Sequence, residues 1–432
     1  MNLWTITLAL VSGGQSAPTL TLDEAIEIAI QNAYAIRTAD SRAQQARDLV
    51  RAAERSAGFA VNGSGQFSIY SDSDSSGVGK NTSTFGSANG SVSLTFPIDI
   101  NGNIRRNVSA FEYGLLAAEA NKTAEIVAIK SSVREAYNAI LQAEALVEVS
   151  RQSLESAQER LRNVELRQQV GELATVDVLT ARTQVALAET NLTESRNQAL
   201  LAKQSLNTLL ARAVDAPFET QPYASQALDT APPALETKAL LDYAMNVRPD
   251  VAAFTYRLKG LEKQTELQKN ALRPTLGFGA SYTQFYNKND VFGTPKNQTQ
   301  VGLQMSWPIF DGGVNAALVR GKEEDEVQAK IALEQIRSAA ALEIQQALTN
   351  LINARARLEA SATSVQTAEE AFRLISLRFR EGEAIQEQVI DAQASLTQAR
   401  ANQVAARYDL LTAYARLQRA LATDDVSAIV NR

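Results

Sequence analysis

The sequence predicts a mostly α protein with a membrane β-barrel portion, internally duplicated, in which long antiparallel coiled-coil helices alternate with four amphipathic strands. Three observations predict it. Residues 103–212 recur as residues 314–423, shifted by 211 positions. Within each copy, apolar residues recur every seven, the period of a coiled-coil seam. Each of these stretches is preceded by two segments in which apolar and polar residues alternate strictly, the period of a half-buried strand.

Residues 1–17 come first. Leu3–Val11 is a short apolar run, and Ala17 supplies a small residue for cleavage, so this segment is expected to be a partial secretory signal, lacking its basic start. The first repeat is placed at 18–213. Thr21-Leu22-Asp23-Glu24 reads as a capping box opening a helix to about Ala57. A linker rich in Pro, Ala and Asp is placed at 214–234, the second repeat at 235–423 and a short polar tail at 424–432. The first helix of the second repeat is expected to break at Arg248-Pro249.

The strands have clean parity. Phe59, Val61, Phe67 and Ile69 share a face opposite Asn62, Ser64, Gln66 and Ser68, and Val92, Leu94 and Phe96 oppose Ser91, Ser93 and Thr95. In the second copy Leu276, Phe278, Ala280 and Tyr282 alternate with small residues, as do Val301, Leu303, Met305 and Trp307. Strands of roughly 10–12 residues, apolar on one side and small-polar on the other, suit a membrane barrel. An ordinary solvent-facing sheet is the alternative. Polar loops, Ser71–Thr84 and Asn287–Thr299, join the members of each pair. Four strands cannot close a barrel, which needs about eight, so membrane strands here imply an oligomer, with twelve strands from a trimer the natural count.

After each strand pair comes a helix of about 60–65 residues, a turn and a helix of about 40, and the longer one approaches ~100 Å. Ile126, Val133, Ile140, Val147, Leu154 and Leu161 form one seam, answered by Ile344, Leu351, Leu358, Val365 and Phe372, with Arg337 alone departing. In the companion seam even Ser150 and Ser361 coincide. A coiled-coil rod would show similar heptads, so a structural envelope rod is the competing reading, although it leaves the strands unexplained.

The 432 residues are 45% hydrophobic but only 6% aromatic, and the net charge of −6 argues against a nucleic-acid partner. Cysteine and histidine are absent, which excludes disulfides, thiolate metal sites and a lipid-bearing cysteine, and removes the commonest general base. No His-based triad, metal cluster or phosphate loop is legible, so neither an enzyme nor a cofactor is expected.

Residues 20–423 resemble the outer-membrane channel family typified by TolC. The motifs are Leu20-Thr21-Leu22-Asp23-Glu24-Ala25, Arg248-Pro249-Asp250-Val251, Phe96-Pro97-Ile98 against Trp307-Pro308-Ile309-Phe310-Asp311-Gly312-Gly313, and the turns Val170–Leu179 and Glu381–Ile385. The resemblance implies a homotrimer: a twelve-stranded outer-membrane barrel continuous with a periplasmic α-barrel. It further implies export of proteins or small molecules, as in type I secretion or multidrug efflux. A periplasmic adaptor and an inner-membrane ABC or proton-driven transporter would be its partners, and outer-membrane lipid its surroundings. Lipid-facing residues are then Val92, Leu94, Phe96, Leu276, Phe278, Tyr282, Val301, Leu303, Met305 and Trp307.

By the same resemblance the adaptor docks at the hairpin turns, at Val170, Gly171, Glu172, Leu173 and Thr175 in one copy and Gly382 and Glu383 in the other. The glycines also have a simple role as left-handed helix caps. The family's two entrance aspartates fall on Gln388 and Asp391, with Glu387 beside them. Its closing arginine and tyrosine fall on Ala384 and Phe379, leaving Asp177 without those partners. Arg378 and Arg380 are adjacent substitutes. Any charge-assisted lock, worth ~1.5–3 kcal/mol per bond, must therefore be built otherwise or be weaker.

Overall fold

A computed structural model describes residues 18–73, 82–223, 237–287 and 296–426. The signal segment, most of the linker, the tips of both strand-joining loops and the end of the tail lie outside the described residues. The element order is β1 (Thr19–Leu20), α1 (Leu22–Asn32), α2 (Tyr34–Arg55), β2 (Ala60–Ser73), β3 (Thr82–Ile98), α3 (Asn103–Gln169), α4 (Thr175–Leu209) and β4 (Glu219–Thr220). It continues with α5 (Thr237–Val247), α6 (Pro249–Lys269), β5 (Thr275–Asn287), β6 (Asn297–Ser306), α7 (Val314–Arg380) and α8 (Gln386–Ala420). The chain forms two compact units: Met1–Ala39 with Lys122–Pro249 and Arg337–Arg432, and Asp40–Asn121 with Asp250–Ile336.

The first unit is helical. The expected capping box is present: the Glu24 amide donates to the Thr21 hydroxyl (3.3 Å) and the Thr21 amide to the Glu24 carboxylate (2.9 Å). The helix it opens does not run unbroken to Ala57 but stops at Asn32 and restarts at Tyr34. Its counterpart break is set by Pro249, which has no amide to give and a φ suited to the first helical position. Nothing local in the sequence marks the break in the first copy.

The duplicated heptads become two matched cores. Ala25, Ala29, Ala33 and Ile36 pack on Val133, Tyr137 and Ile140 of α3 and on Leu206 and Leu210 of α4. Leu240 and Ala244 pack on Ile344, Ala347 and Leu351 of α7 and on Leu417 and Leu421 of α8. Arg337, the one departure from the seam, is exposed, whereas its counterpart Ile126 packs against the first core. The matched serines have different fates. Ser150 bonds the Ser195 hydroxyl across α3 and α4 at 2.8 Å, while Ser361 donates to the Leu358 carbonyl of its own helix.

Where α3 meets α8 the contact is polar. Its rungs are Glu135–Arg416 (2.9 Å), Asn138–Thr412 (3.3 Å), Gln152–Arg400 (3.1 Å) and Arg160–Gln393 (3.4 Å). Apolar packing thus holds each hairpin to its own small helix, while these polar contacts, with Tyr408 of α8 packed against the first core, join the two hairpins.

The linker is not wholly irregular, because β4 pairs in parallel with β1. Tyr137 pins both, its hydroxyl 2.9 Å from the Leu20 and Gln221 carbonyls and accepting from the Gln221 amide. Burial pushes this hydroxyl's pKa up. The start of the tail is also docked: Asp424 pairs with Lys130 (2.6 Å) and Arg134 (2.7 Å), and Val426 is buried. Burial alone would raise the Asp424 pKa, but these two cations outweigh it and hold the carboxyl below its usual range.

Helices α4 and α8 both end on an alanine in the left-handed region, Ala211 (φ 53°) and Ala422 (φ 50°), again 211 apart. The following amides fold back, Arg212 to the Asn207 carbonyl and Thr423 to the Gln418 carbonyl, completing a cap that glycine normally serves. Left-handed geometry costs a Cβ-bearing residue roughly 1–2 kcal/mol. Glycine gives back about 0.4–1 kcal/mol through a freer unfolded chain. Relief of strain wins. Ala211→Gly is therefore expected to stabilise the protein by about 0.5–1 kcal/mol, read as a higher unfolding midpoint in detergent, and a lower midpoint would show the alanine to be unstrained.

The second unit holds a four-stranded antiparallel sheet in the order β2-β3-β5-β6. Arg47–Glu119 (2.8 Å) and Arg106–Glu266 (3.3 Å) tie α2 and α6 to the start of α3. Asp311 accepts from the Gly313 amide (3.0 Å) and the Asn315 amide (2.6 Å), which turns the chain from β6 into α7.

Candidate functional site

The two hairpin turns are built alike. Gly171 (φ 81°) and Gly382 (φ 80°) end α3 and α7 in the left-handed conformation expected of glycine caps. The Glu172 amide donates to the Arg167 carbonyl (2.9 Å) and the Gly171 amide to that of Gln168 (3.0 Å). In the second turn Glu383 bonds Arg378 (2.8 Å) and Gly382 bonds Phe379 (3.2 Å). These paired bonds satisfy carbonyls that a helix end otherwise leaves open. Val170, Gly171, Glu172, Thr175, Gly382 and Glu383 are exposed, while Leu173 is half-buried against Val164, Val178 and Ala181. A Cβ at either glycine would meet open space.

Asp177 and Gln388 hold equivalent posts. Each reaches back to the amide before its own helix, Asp177 to Ala174 (3.0 Å) and Gln388 to Ile385 (3.3 Å). A carboxylate in a first helical turn also meets the positive end of the helix dipole. Glu387 and Asp391 are exposed, and Ala384 is half-buried.

The residue that reaches across is Arg167. Its Nη1 donates to the Phe379 carbonyl (3.1 Å), its Cζ stands 5.1 Å from the centre of the Phe379 ring, and its Nε pairs with Glu172 (2.9 Å). Beside it the buried Gln386 donates its amide to the backbone carbonyl of Asp177 at 3.1 Å. Arg378 pairs with Glu383 in its own turn (3.8 Å), and Arg380 is exposed, so neither replaces the missing arginine within this chain. Sequence reasoning passed over Arg167. The available signal was the pair Arg167/Glu172, repeated as Arg378/Glu383 one duplication later.

In the sheet unit, register brings most apolar residues of the four strands onto one face, with Phe285 left on the other. Val61, Leu94, Ala280 and Val301 form one cross-strand row, Phe96, Phe278 and Leu303 another, and Ile98, Leu276 and Met305 a third. Val92 and Tyr282 continue the face, with Trp307 just beyond the end of β6. Val61, Phe67, Val301, Leu303 and Met305 are each more than half exposed, the reverse of a soluble core. The opposite face carries the rows Asn62, Ser93, Ser281, Gln300 and Ser64, Ser91, Thr283, Gln298. Ser64 and Ser91 bond each other at 2.7 Å. Among the described residues no helix is long and apolar enough to cross a membrane, and no group of side chains is placed to hold a metal.

Strands exposing an apolar face, in a chain with two long helical hairpins, define the class as a channel-forming membrane subunit. The chain belongs to the outer membrane efflux protein family, whose sequence pattern matches it twice, at residues 25–212 and 240–423. It is 25% identical to the pyoverdine export outer membrane protein OpmQ of Pseudomonas putida over 93% of this chain and 85% of that one. It is 24% identical to the outer membrane efflux protein BepC of Brucella suis over 72% of this chain and 69% of the relative. Among solved structures, CusC superposes with a TM-score of 0.79 at 20% identity, covering 93% of this chain and 91% of CusC. The expected fold is borne out, with barrel strands and tunnel helices in one duplicated chain. Other relatives are named for protease secretion. The protein is an outer-membrane channel of efflux or secretion.

Proposed function

We propose that three copies of this chain close a twelve-stranded barrel in the outer membrane and conduct cargo from the periplasmic side to the exterior. A periplasmic adaptor docks on the hairpin turns, and an inner-membrane ABC or proton-driven transporter supplies the cargo and the energy. The protein itself performs no chemistry. The observation that carries this reading is the sheet. Its exposed apolar face suits lipid and its hydroxyl- and amide-bearing face suits water. Its edges β2 and β6 have no further strand partner among the described residues. Unpaired edges in lipid cost several kcal/mol per polar group, so the sheet must close against further copies.

The gate reading places Asp391 at the entrance, with Glu387, Gln388, Phe379 and Ala384 around it, while the Asp177 carboxylate caps the first turn of α4. Of the two positions that match the family's aspartates, Gln388 is uncharged, so Asp391 alone of the pair brings a carboxylate to the threefold ring. Reconstituted in planar bilayers, the protein is expected to conduct ions and to be blocked from the periplasmic side by a trivalent cation. Asp391→Ala is expected to weaken that block about tenfold or more, because three converging carboxylates attract cations. Unchanged block would remove Asp391 from the gate, and a protein that never conducts would overturn the channel.

A further inference from the structure

We propose that Arg167 is the clasp holding the two helical hairpins of each copy together at the entrance, and that the Asp177 carboxylate takes no part in this lock. The inference rests on the reading of the hairpin ends as the closed entrance. One guanidinium makes three contacts there, and two of them cross from the first hairpin to the second.

The Phe379 carbonyl lies in the last turn of α7, where the helix leaves oxygens without intrahelical partners. That oxygen already accepts from the Gly382 amide, and Arg167 takes its remaining capacity at 3.1 Å. A cation at a helix C-terminus also meets the negative end of the dipole. Stacking over the Phe379 ring adds a cation–π contact at 5.1 Å. Glu172, 2.9 Å away in Arg167's own turn, aims the guanidinium and balances its charge. A second stitch lies alongside: Gln386, 6% exposed, donates to the Asp177 backbone carbonyl, and its own oxygen is buried with no partner.

The duplication supplies an internal control. Arg378 and Glu383 repeat the Arg167/Glu172 pair, but at 3.8 Å, and Arg378 is 58% exposed against 27% for Arg167. Where Arg167 finds the ring of Phe379, the equivalent position of the first copy is Gln168. The arginine is therefore not simply the cap of its own turn. Of the two copies of the motif, only the first is shown reaching a phenylalanine across the hairpins. The Asp177 carboxylate, by contrast, accepts through Oδ2 from the Ala174 amide beneath it, a bond within its own hairpin. Crossing between hairpins at Asp177 runs through a main-chain oxygen, which side-chain neutralisation leaves in place.

The test compares single-channel open probability of the full-length protein in planar bilayers for the wild type, Arg167→Ala, Arg167→Lys and Asp177→Asn. Loss of a hydrogen bond to a charged group predicts a rise of roughly tenfold or more for Arg167→Ala. Lysine, a point charge without the planar fork, should fall between alanine and the wild type. Asp177→Asn should stay as closed as the wild type. If Arg167→Ala does not assemble, Arg167→Gln is judged by the same criterion. A conducting wild type with an unchanged arginine variant overturns the clasp alone, as does Asp177→Asn opening as far as Arg167→Ala. A wild type that conducts under no condition overturns the channel reading and the clasp with it.

Discussion

Leu94→Arg is expected to abolish accumulation of the trimer in the outer membrane, while Ser93→Arg, one residue away, is expected to be tolerated. The two positions lie on the same inner strand, β3, and differ only in face. Leu94 sits in a row with Val61, Ala280 and Val301, and Ser93 with Asn62, Ser281 and Gln300. An arginine facing lipid near the bilayer centre costs about 2–4 kcal/mol. Each trimer carries three copies, so the penalty is roughly 6–12 kcal/mol, comparable to the whole stability of a typical domain. An arginine on the polar face keeps its hydration and can extend into the lumen. The measurement is the amount of detergent-resistant trimer in outer-membrane fractions. Equal assembly of the two variants would mean that the apolar face does not meet lipid.

The second large effect is expected at the first hairpin turn. Gly171→Trp should abolish export in cells that contain the adaptor and transporter, yet leave trimers in the outer membrane at wild-type levels. Gly171→Ala is the control. Its Cβ meets open space, so its cost is the roughly 1–2 kcal/mol of left-handed strain, spread over a turn held by two backbone bonds. Alanine should therefore keep most of the export. Tryptophan adds the same strain plus a large ring projecting from the exposed tip, where the proposed adaptor contact would be made. Export surviving with tryptophan would remove the turn from the docking surface.

Much of the architecture was legible because it is periodic. A seven-residue seam and a two-residue alternation are each written many times over, and the duplication writes them twice. Pro249 fixed one helix break in advance, since proline acts locally. The matching break at Ala33 was hidden because no residue there enforces it. The β1–β4 pairing was hidden for another reason: two-residue strands some 200 positions apart carry no period. At the hairpin ends the glycines were legible as caps, their geometry being local. The roles of Asp177 and Gln388 were only half legible. Position relative to the family suggests a lock and an entrance ring, whereas a third residue of a helix is also placed to bond the amide before it. Arg167 was legible only as half of a repeated Arg/Glu pair; its reach across the hairpins was hidden, because the partner is a backbone oxygen some 200 residues away, and a carbonyl leaves no mark in a sequence.

The open edges of the sheet carry a consequence for the chain before it has reached its membrane. Natural sheets guard free edges with lysine, proline or bulges. Strand β6 has none of these and no charged residue at all, and β2 holds a single charged residue, Asp72, close to its loop end. A lone copy in water thus offers two unguarded hydrogen-bonding templates beside a greasy face, the makings of an aggregate. Neighbouring copies relieve the open edges, and lipid relieves the face. On the proposed assembly, folding of the strands, association of the copies and entry into lipid would then be coupled.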